Sequence, residues 1–260
     1  MNTLIIGKSE EYLKIVNSDF IDLCVTSPPY DRARTYGQKN LSWDFESIAK
    51  ELYRVLKPGG VLCWNVNDMT ENGGESLTSC KQKIFFVEQC GFRVHDTMIY
   101  KKLNFSNPER TRYQQLFEYV FVFSKGKPKA FNPIFDKPNV TAGQKGWGKN
   151  TYTEKDGSKS ERKKKVAAEF GMRGNVWEGK TRGQEEGAVN LFHPAMMPKW
   201  LARDLIISFS NPGDIVIDPF AGSGTTVFEA MKLKRQYVAI ESNSEYYTQI
   251  KNRLHNPMGI

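Results

Sequence analysis

Ile215-Val-Ile-Asp-Pro-Phe-Ala-Gly-Ser-Gly-Thr-Thr226 is the stretch whose reading decides the fold. Its three apolar β-branched residues predict a short buried strand. Asp218 stands where that strand stops. Gly222 and Gly224 make a tight turn in which no Cβ obstructs a ligand's approach to the backbone. Thr225 and Thr226 open a helix, whose unbonded N–H groups attract an anionic group. A second strand, Tyr237-Val-Ala-Ile240, follows and runs into Glu241. An acid at that place grips ribose hydroxyls in α/β sites. Strand, glycine turn, helix, strand and acid together describe a nucleoside-bearing cofactor at the carboxyl ends of parallel strands. A ligand-free strand–turn–helix would carry the same glycine pair, so the glycines alone leave both readings open.

The neighbouring residues narrow the cofactor. Val227 occupies the place of the third glycine in a dinucleotide fingerprint, and no Lys precedes the Thr pair as a phosphate loop requires. Asp218 inside the turn repels a pyrophosphate. It suits a ligand with a positive amino group, such as S-adenosylmethionine.

Upstream the chain alternates. Strands are predicted at 3–6, 20–25, 61–66, 93–100 and 117–123, and helices at 10–16, 45–56 and 76–90. The 45–56 helix puts Phe45, Ile48, Leu52, Val55 and Leu56 on one side. Lys57-Pro-Gly-Gly60 stops it, and Gly91 closes the next. Pro198 is a good first helical residue for a helix through 200–207, and a last helix covers 244–254. This rhythm predicts an α/β fold, doubly wound, with a mainly parallel sheet and helices on both faces.

Composition sets the class. With 260 residues and 39% apolar content the chain can bury a substantial core. No apolar run reaches the roughly 20 residues of a membrane span, and the first residues lack a signal-peptide pattern. The 4 cysteines form no CxxC pair, and 3 His are too few for a zinc set, so no metal is expected. Reduced thiols fit a cytoplasmic protein. Charge is uneven. Residues 125–183 hold 15 Lys and Arg against 6 Asp and Glu, a net of +9, while the whole chain is +8. A neutral body with one basic segment implies a polyanionic partner. A solvated insert that binds nothing would have the same composition.

Thr26-Ser-Pro-Pro-Tyr30 is the second chemical motif. Pro28 and Pro29 remove two backbone donors and fix φ, leaving rigid carbonyls that can only accept. Ser27 adds a hydroxyl and Tyr30 a flat ring. Such a cluster suits a planar heterocycle with an exocyclic amine: the amine donates to the Pro28 carbonyl and to Ser27 while Tyr30 stacks. A conjugated amine is a poor nucleophile, and acceptors on both N–H groups favour the pyramidal nitrogen that can attack. A strand ending in a Pro-Pro turn, with Tyr30 as core, is the plainer alternative.

Together the two motifs resemble the S-adenosylmethionine-dependent DNA amino-methyltransferases, which methylate N4 of cytosine or N6 of adenine. Their (Asp/Asn/Ser)-Pro-Pro-(Tyr/Phe) pattern is met by Ser27, Pro28, Pro29 and Tyr30. Their Asp-Pro-Phe-x-Gly-Ser-Gly-Thr-Thr loop is met by Asp218, Pro219, Phe220, Gly222, Ser223, Gly224, Thr225 and Thr226. The catalytic motif precedes the cofactor motif, as in the permuted β group. The segment from His193 through Ala195 and Pro198 to Ile206, and Asn175-Val-Trp177, are similar to that group as well.

The resemblance implies a circularly permuted, Rossmann-like class I methyltransferase fold with a seven-stranded sheet. Residues 1–124 would form the catalytic half, 125–190 a basic target-recognition insert, and 191–260 the cofactor half. It places Asp218, Phe220, Gly222 and Thr225 around the methionine part, Glu241 on the ribose, and His193, Ala195 and Pro198 over the cofactor. Arg32, Arg34, Arg162, Lys163, Lys164 and Lys165 would contact the phosphates of double-stranded DNA around a flipped base. One departure stands out: relatives often read Gly-Asp after the first strand, with the Asp facing the cofactor's adenine end, where this chain has Gly7-Lys8, so that Ser9 or a backbone group takes the contact or the contact is absent. Ser27 in the first motif position favours cytosine. The resemblance leaves a homodimer and a cognate restriction endonuclease open as partners. A methyltransferase for a non-DNA amine, or a non-catalytic nucleic-acid binder, would need only part of these features. No Pro is followed by Cys, so a covalent C5-cytosine mechanism is not expected.

Overall fold

The computed structural model describes residues 2–29, 43–104, 112–145, 151–161, 165–181 and 196–255. It divides into two compact units: residues 1–132 with 175–260, and residues 133–174.

The larger unit is built on one sheet. Its strands are β1 (Asn2–Ile6), β2 (Ile21–Thr26), β3 (Leu56–Val66), β4 (Arg93–Lys102), β5 (Phe117–Ser124), β6 (Val176–Gly179), β7 (Ile215–Asp218) and β8 (Gln236–Glu241). Their spatial order is β1-β8-β7-β2-β3-β5-β4-β6. Neighbours run parallel except at β5, which is antiparallel to both β3 and β4. The sheet is therefore doubly wound and mainly parallel, as expected from the alternation. It has eight strands among the described residues rather than seven. The added one, β6, comes from the stretch expected to belong to the basic insert. Four residues around Trp177 are too few to show a period, and only their pairing with β4 makes them a strand.

Helices α1 (Ser9–Tyr12), α2 (Phe45–Val55), α3 (Thr78–Glu88), α4 (Lys199–Phe209), α5 (Thr225–Lys232) and α6 (Ser244–His255) complete the unit. The helix expected over 10–16 is split into α1 and a 3₁₀ turn at Leu13–Ile15. The stop signal after α2 acts immediately: the helix ends at Val55 and β3 begins at Leu56. Lys57 to Gly60 form a bulge, since Leu56 pairs with Ile21 and Val61 already pairs with Leu23. Asp44 caps α2 by accepting from the Ser47 N–H at 3.1 Å.

The core under α2 is aromatic. Trp64 of β3 is fully buried, and its indole N–H donates to Gln82 of α3 at 2.8 Å, so the polar end of the ring is satisfied. Phe86 packs edge-on against Phe45, Trp64 and Phe92 at centroid separations of 5.3, 5.1 and 5.6 Å. The opposite face is covered by α4, with Leu201, Leu205 and Ile206 buried. The smaller unit contains two antiparallel strand pairs, Phe135–Pro138 with Phe170–Met172 and, between them in sequence, Thr151–Thr153 with Lys159–Glu161. Among the described residues no helix is long and apolar enough to cross a membrane.

One carboxylate joins the two ends of the chain at the base of the sheet. Asp22 at the start of β2 accepts from the Ile215 N–H at 3.0 Å and from Lys57 at 2.7 Å. It sets β7, which arrives 193 residues later, against β2.

The aromatic core should dominate stability. Phe86→Ala is expected to cost about 3–5 kcal/mol. Urea unfolding should show a lower midpoint with an unchanged m-value, because a cavity alters stability and not the surface exposed on unfolding.

Candidate active site

The carboxyl ends of β7 and β2 lie side by side. β7 leads through α5 to β8 on one side, and β2 leads toward β3 on the other. Chain direction across the sheet thus reverses between them, and a crevice opens at such a switch point. A cavity of about 440 Å³ occupies it. Its lining includes Ser27 and Pro29 from the end of β2 and Asp218 to Ser223, Thr225 and Thr226 from the β7–α5 turn. Glu241 to Asn243 after β8 and Gly7 to Glu10 after β1 complete that side. The two motifs, nearly 190 residues apart in sequence, are walls of one cavity.

The β7–α5 turn is fixed by its own backbone. Gly224 sits at φ +79° and caps α5, and a Cβ there would come within 2.9 Å of the Phe228 ring. Its N–H donates to the Ala221 carbonyl at 2.7 Å. The Ala221 N–H donates to the Ile240 carbonyl at 3.0 Å, fastening the turn to β8.

Glu241 holds the same turn from the other side. One carboxylate oxygen accepts from the Gly222 N–H at 2.7 Å, the other from the Asn243 N–H at 2.8 Å. Burial raises its pKa above the usual carboxylate range. The Asn243 and Gly222 N–H bonds oppose that rise, and the charge of Asp218 adds to it. Asp218 is raised too, again chiefly by burial, with the Thr26 hydroxyl, the Phe220 N–H and the Thr226 hydroxyl pulling it back. Its Oδ1 accepts from Thr26 at 2.6 Å and from the Phe220 N–H at 3.0 Å.

These contacts settle what kind of ligand the cavity suits. Its described lining carries three carboxylates, Glu10, Asp218 and Glu241, against one basic side chain, the exposed Lys8. Two of the acids are buried. A ligand that brings positive charge and hydroxyl donors relieves this excess, and a pyrophosphate worsens it. S-adenosylmethionine, with an ammonium, a sulfonium and ribose hydroxyls, fits the donor set.

The expected residues divide into four groups. Ser27, Pro29, Asp218, Pro219, Phe220, Gly222, Ser223, Thr225, Thr226 and Glu241 line the cavity. Pro28, Gly224 and Pro198 are not among its described lining: Pro28 is buried, Gly224 caps α5, and Pro198 caps α4 while Met196 and Met197 beside it reach the cavity. Tyr30, Arg32, Arg34, Arg162, Lys163, Lys164, His193 and Ala195 lie outside the described residues. Lys165 is exposed in the smaller unit.

Sequence reading missed several lining residues. Trp43 packs edge-on against Phe220 at 5.0 Å and closes one wall. Ser9, one candidate for the contact of the usual Asp, lines the cavity too, and its hydroxyl donates to the Pro219 carbonyl and braces the β7–α5 turn. Tyr246 enters from α6. Trp43 follows a polar stretch of sequence with no periodicity, and Tyr246 belongs to an element remote in sequence, so no local pattern marks them.

Loss of either buried carboxylate should weaken the cofactor. Asp218→Ala and Glu241→Ala are each expected to reduce S-adenosylmethionine affinity by roughly 1.5–3 kcal/mol, the worth of a hydrogen bond to a charged group. Titration calorimetry on the folded variants measures this. Wild-type affinity in both would move the cofactor to another site.

Comparison with known proteins agrees with this architecture. The family model described as DNA methylase, for the N6 and N4 enzymes, matches residues 21–252. The orphan methyltransferase M.BamHII of Bacillus amyloliquefaciens is 46% identical over 239 residues, covering 91% of this chain and 89% of the relative. Among solved structures, the cytosine-N4-specific PvuII DNA methyltransferase superposes with a TM-score of 0.66 at 20% identity, over 97% of this chain and 92% of that one. The complex of M1.HpyAVI with S-adenosylmethionine gives 0.63 at 24% identity, over 97% and 100%. The chain belongs to the N6/N4 DNA methylase family and is an S-adenosylmethionine-dependent DNA amino-methyltransferase.

Proposed function

We propose that this enzyme methylates N4 of cytosine in double-stranded DNA, on a base flipped into the mouth of the cavity beside Ser27. The observation that carries this reading is the shared cavity: Ser27 and Pro29 face the same space as Asp218 and Glu241. When bound, S-adenosylmethionine supplies an electrophilic methyl group. Asp218 receives its ammonium group, Glu241 its ribose hydroxyls, and Phe220 with Trp43 gives it an apolar wall. Ser27 and the Pro28 carbonyl accept the two N–H bonds of the target amine. Their acceptors gain most as the nitrogen becomes pyramidal and positive, which is where stabilisation raises turnover. Tyr30 is assigned to stack on the base.

Cytosine is favoured by Ser27. In the family the first position of the four-residue motif is more often Ser in cytosine enzymes and Asp in adenine enzymes. The smaller unit, residues 133–174, is proposed to contact DNA, with Lys165 and its neighbours Arg162, Lys163 and Lys164 on phosphates. The relative at 46% identity is named an orphan methyltransferase, which favours an enzyme acting without a paired restriction endonuclease.

Mass spectrometry of nucleosides from DNA modified in vitro tests the base. N4-methylcytosine is expected, and a methyl group found only on adenine would overturn the choice. Ser27→Ala should cut single-turnover rate more than DNA affinity. A full single-turnover rate in that variant would remove Ser27 from the chemistry.

Neutralising Arg162, Lys163, Lys164 and Lys165 should flatten the salt dependence of DNA binding, by up to about 0.9 in log–log slope for each phosphate no longer neutralised. S-adenosylmethionine affinity should stay at the wild-type value. An unchanged slope would make the run solvated surface.

A further inference from the structure

Thr26 stands immediately before the Ser27–Pro29 motif, is fully buried, and does not line the cavity. Its hydroxyl donates to Asp218 Oδ1 at 2.6 Å across the β2–β7 pairing. The same oxygen accepts the Phe220 N–H at 3.0 Å. Oδ1 is thus held twice from within the protein, the Thr226 hydroxyl adds a further hold on the carboxylate, and Asp218 is a cavity wall. A second strap joins the same strands: the Thr226 hydroxyl at the start of α5 reaches the Val25 carbonyl at 3.4 Å.

We propose that Thr26 is a positioning residue, whose hydroxyl aims the Asp218 carboxylate at the cofactor's amino group and ties that aim to the strand carrying the catalytic motif. This rests on the assignment of Asp218 to the cofactor made above. A hydroxyl at this place has a physical purpose. A buried carboxylate with no donors would take up a proton rather than hold its charge. Thr26 provides a charge-assisted bond without adding a positive charge that would compete with the ligand. Valine has nearly the same shape, so packing alone does not require the hydroxyl.

The pH dependence follows from the surroundings. Asp218 meets Thr26 and Cys24 from β2, Thr226 from α5 and Glu241 from β8, with Lys8 and Glu10 on the cavity wall after β1. Burial raises the Asp218 pKa, and Thr26 is the largest opposing influence. Only the ionised acid binds an ammonium group, so affinity falls as pH drops through that pKa. Removing the hydroxyl raises the pKa further, and the fall must then begin at higher pH.

The test is S-adenosylmethionine binding by calorimetry from pH 5 to pH 8 on Thr26→Val, Thr26→Ser and Asp218→Ala. Thr26→Val should raise Kd by about tenfold at neutral pH, the lower end for a bond to a charged group. It should also move the acid limb of affinity to higher pH. Thr26→Ser keeps the hydroxyl and should restore both. A Thr26→Val protein with wild-type Kd and acid limb overturns the proposal. An equal shift in Thr26→Ser also overturns it, since the methyl group would then be responsible. Should Thr26→Val fail to fold, Thr26→Ala, which adds no bulk, is judged by the same two criteria. Wild-type affinity in Asp218→Ala would instead refute the assignment of the cofactor to Asp218, and this proposal with it.

Discussion

The pairing of β7 with β2 is the constraint on which the rest of the molecule depends. The two strands come from opposite ends of the chain, and no short connection holds them in register. Asp22 bonding to the Ile215 N–H fixes one end of the pair, and Thr26 bonding to Asp218 fixes the other. Ladder pairing between them is short, with Val216 beside Leu23 and Ile217 beside Cys24. Polar contacts at both ends thus set a register that a short ladder specifies weakly. A slip of one residue would turn Asp218 away from the cavity it shares with Ser27 and Pro29.

The circular permutation becomes intelligible from this pair. In space β8 and β7 lie between β1 and β2, so the C-terminal strands enter the middle of a sheet whose remaining strands come earlier in the chain. Parallel strands need long crossovers in any case, so the position of the chain break matters little to the sheet. What must survive is the adjacency at the switch point. It survives here because the short ladder and the side-chain contacts at both its ends do not depend on chain order.

The cavity also shows how a site trades stability for binding. Two buried carboxylates, both with pKa values raised chiefly by burial, face one space. For such groups the protonated form is favoured on folding, so their contribution to stability is present at low pH and is lost as pH rises through the raised pKa. Once ionised, the two acids therefore impose a cost that a cationic ligand would reduce. The surrounding backbone limits that cost: Gly222, Asn243 and Phe220 each give an N–H to one of the two acids.

Much of this was legible in the sequence because its signals are local. Three β-branched residues before an acid, a glycine turn and a Thr pair can form little but strand, turn and helix, and β7 and α5 fall where those residues place them. The rigid acceptors of Ser27-Pro-Pro follow from proline's covalent geometry, which needs no tertiary partner. The family and its cofactor could be read from the two motifs together. Tertiary structure alone decided what those motifs touch. Trp43 against Phe220, Ser9 against Pro219 and Tyr246 in the cavity wall are contacts between elements remote in sequence, and no period or spacing encodes them. The four residues of β6 became a strand only because β4 offered an edge to pair with. Thr26 is the sharpest case: as a sequence position it is one more β-branched residue at a strand end. Only the register of β2 against β7 makes its hydroxyl a partner of Asp218.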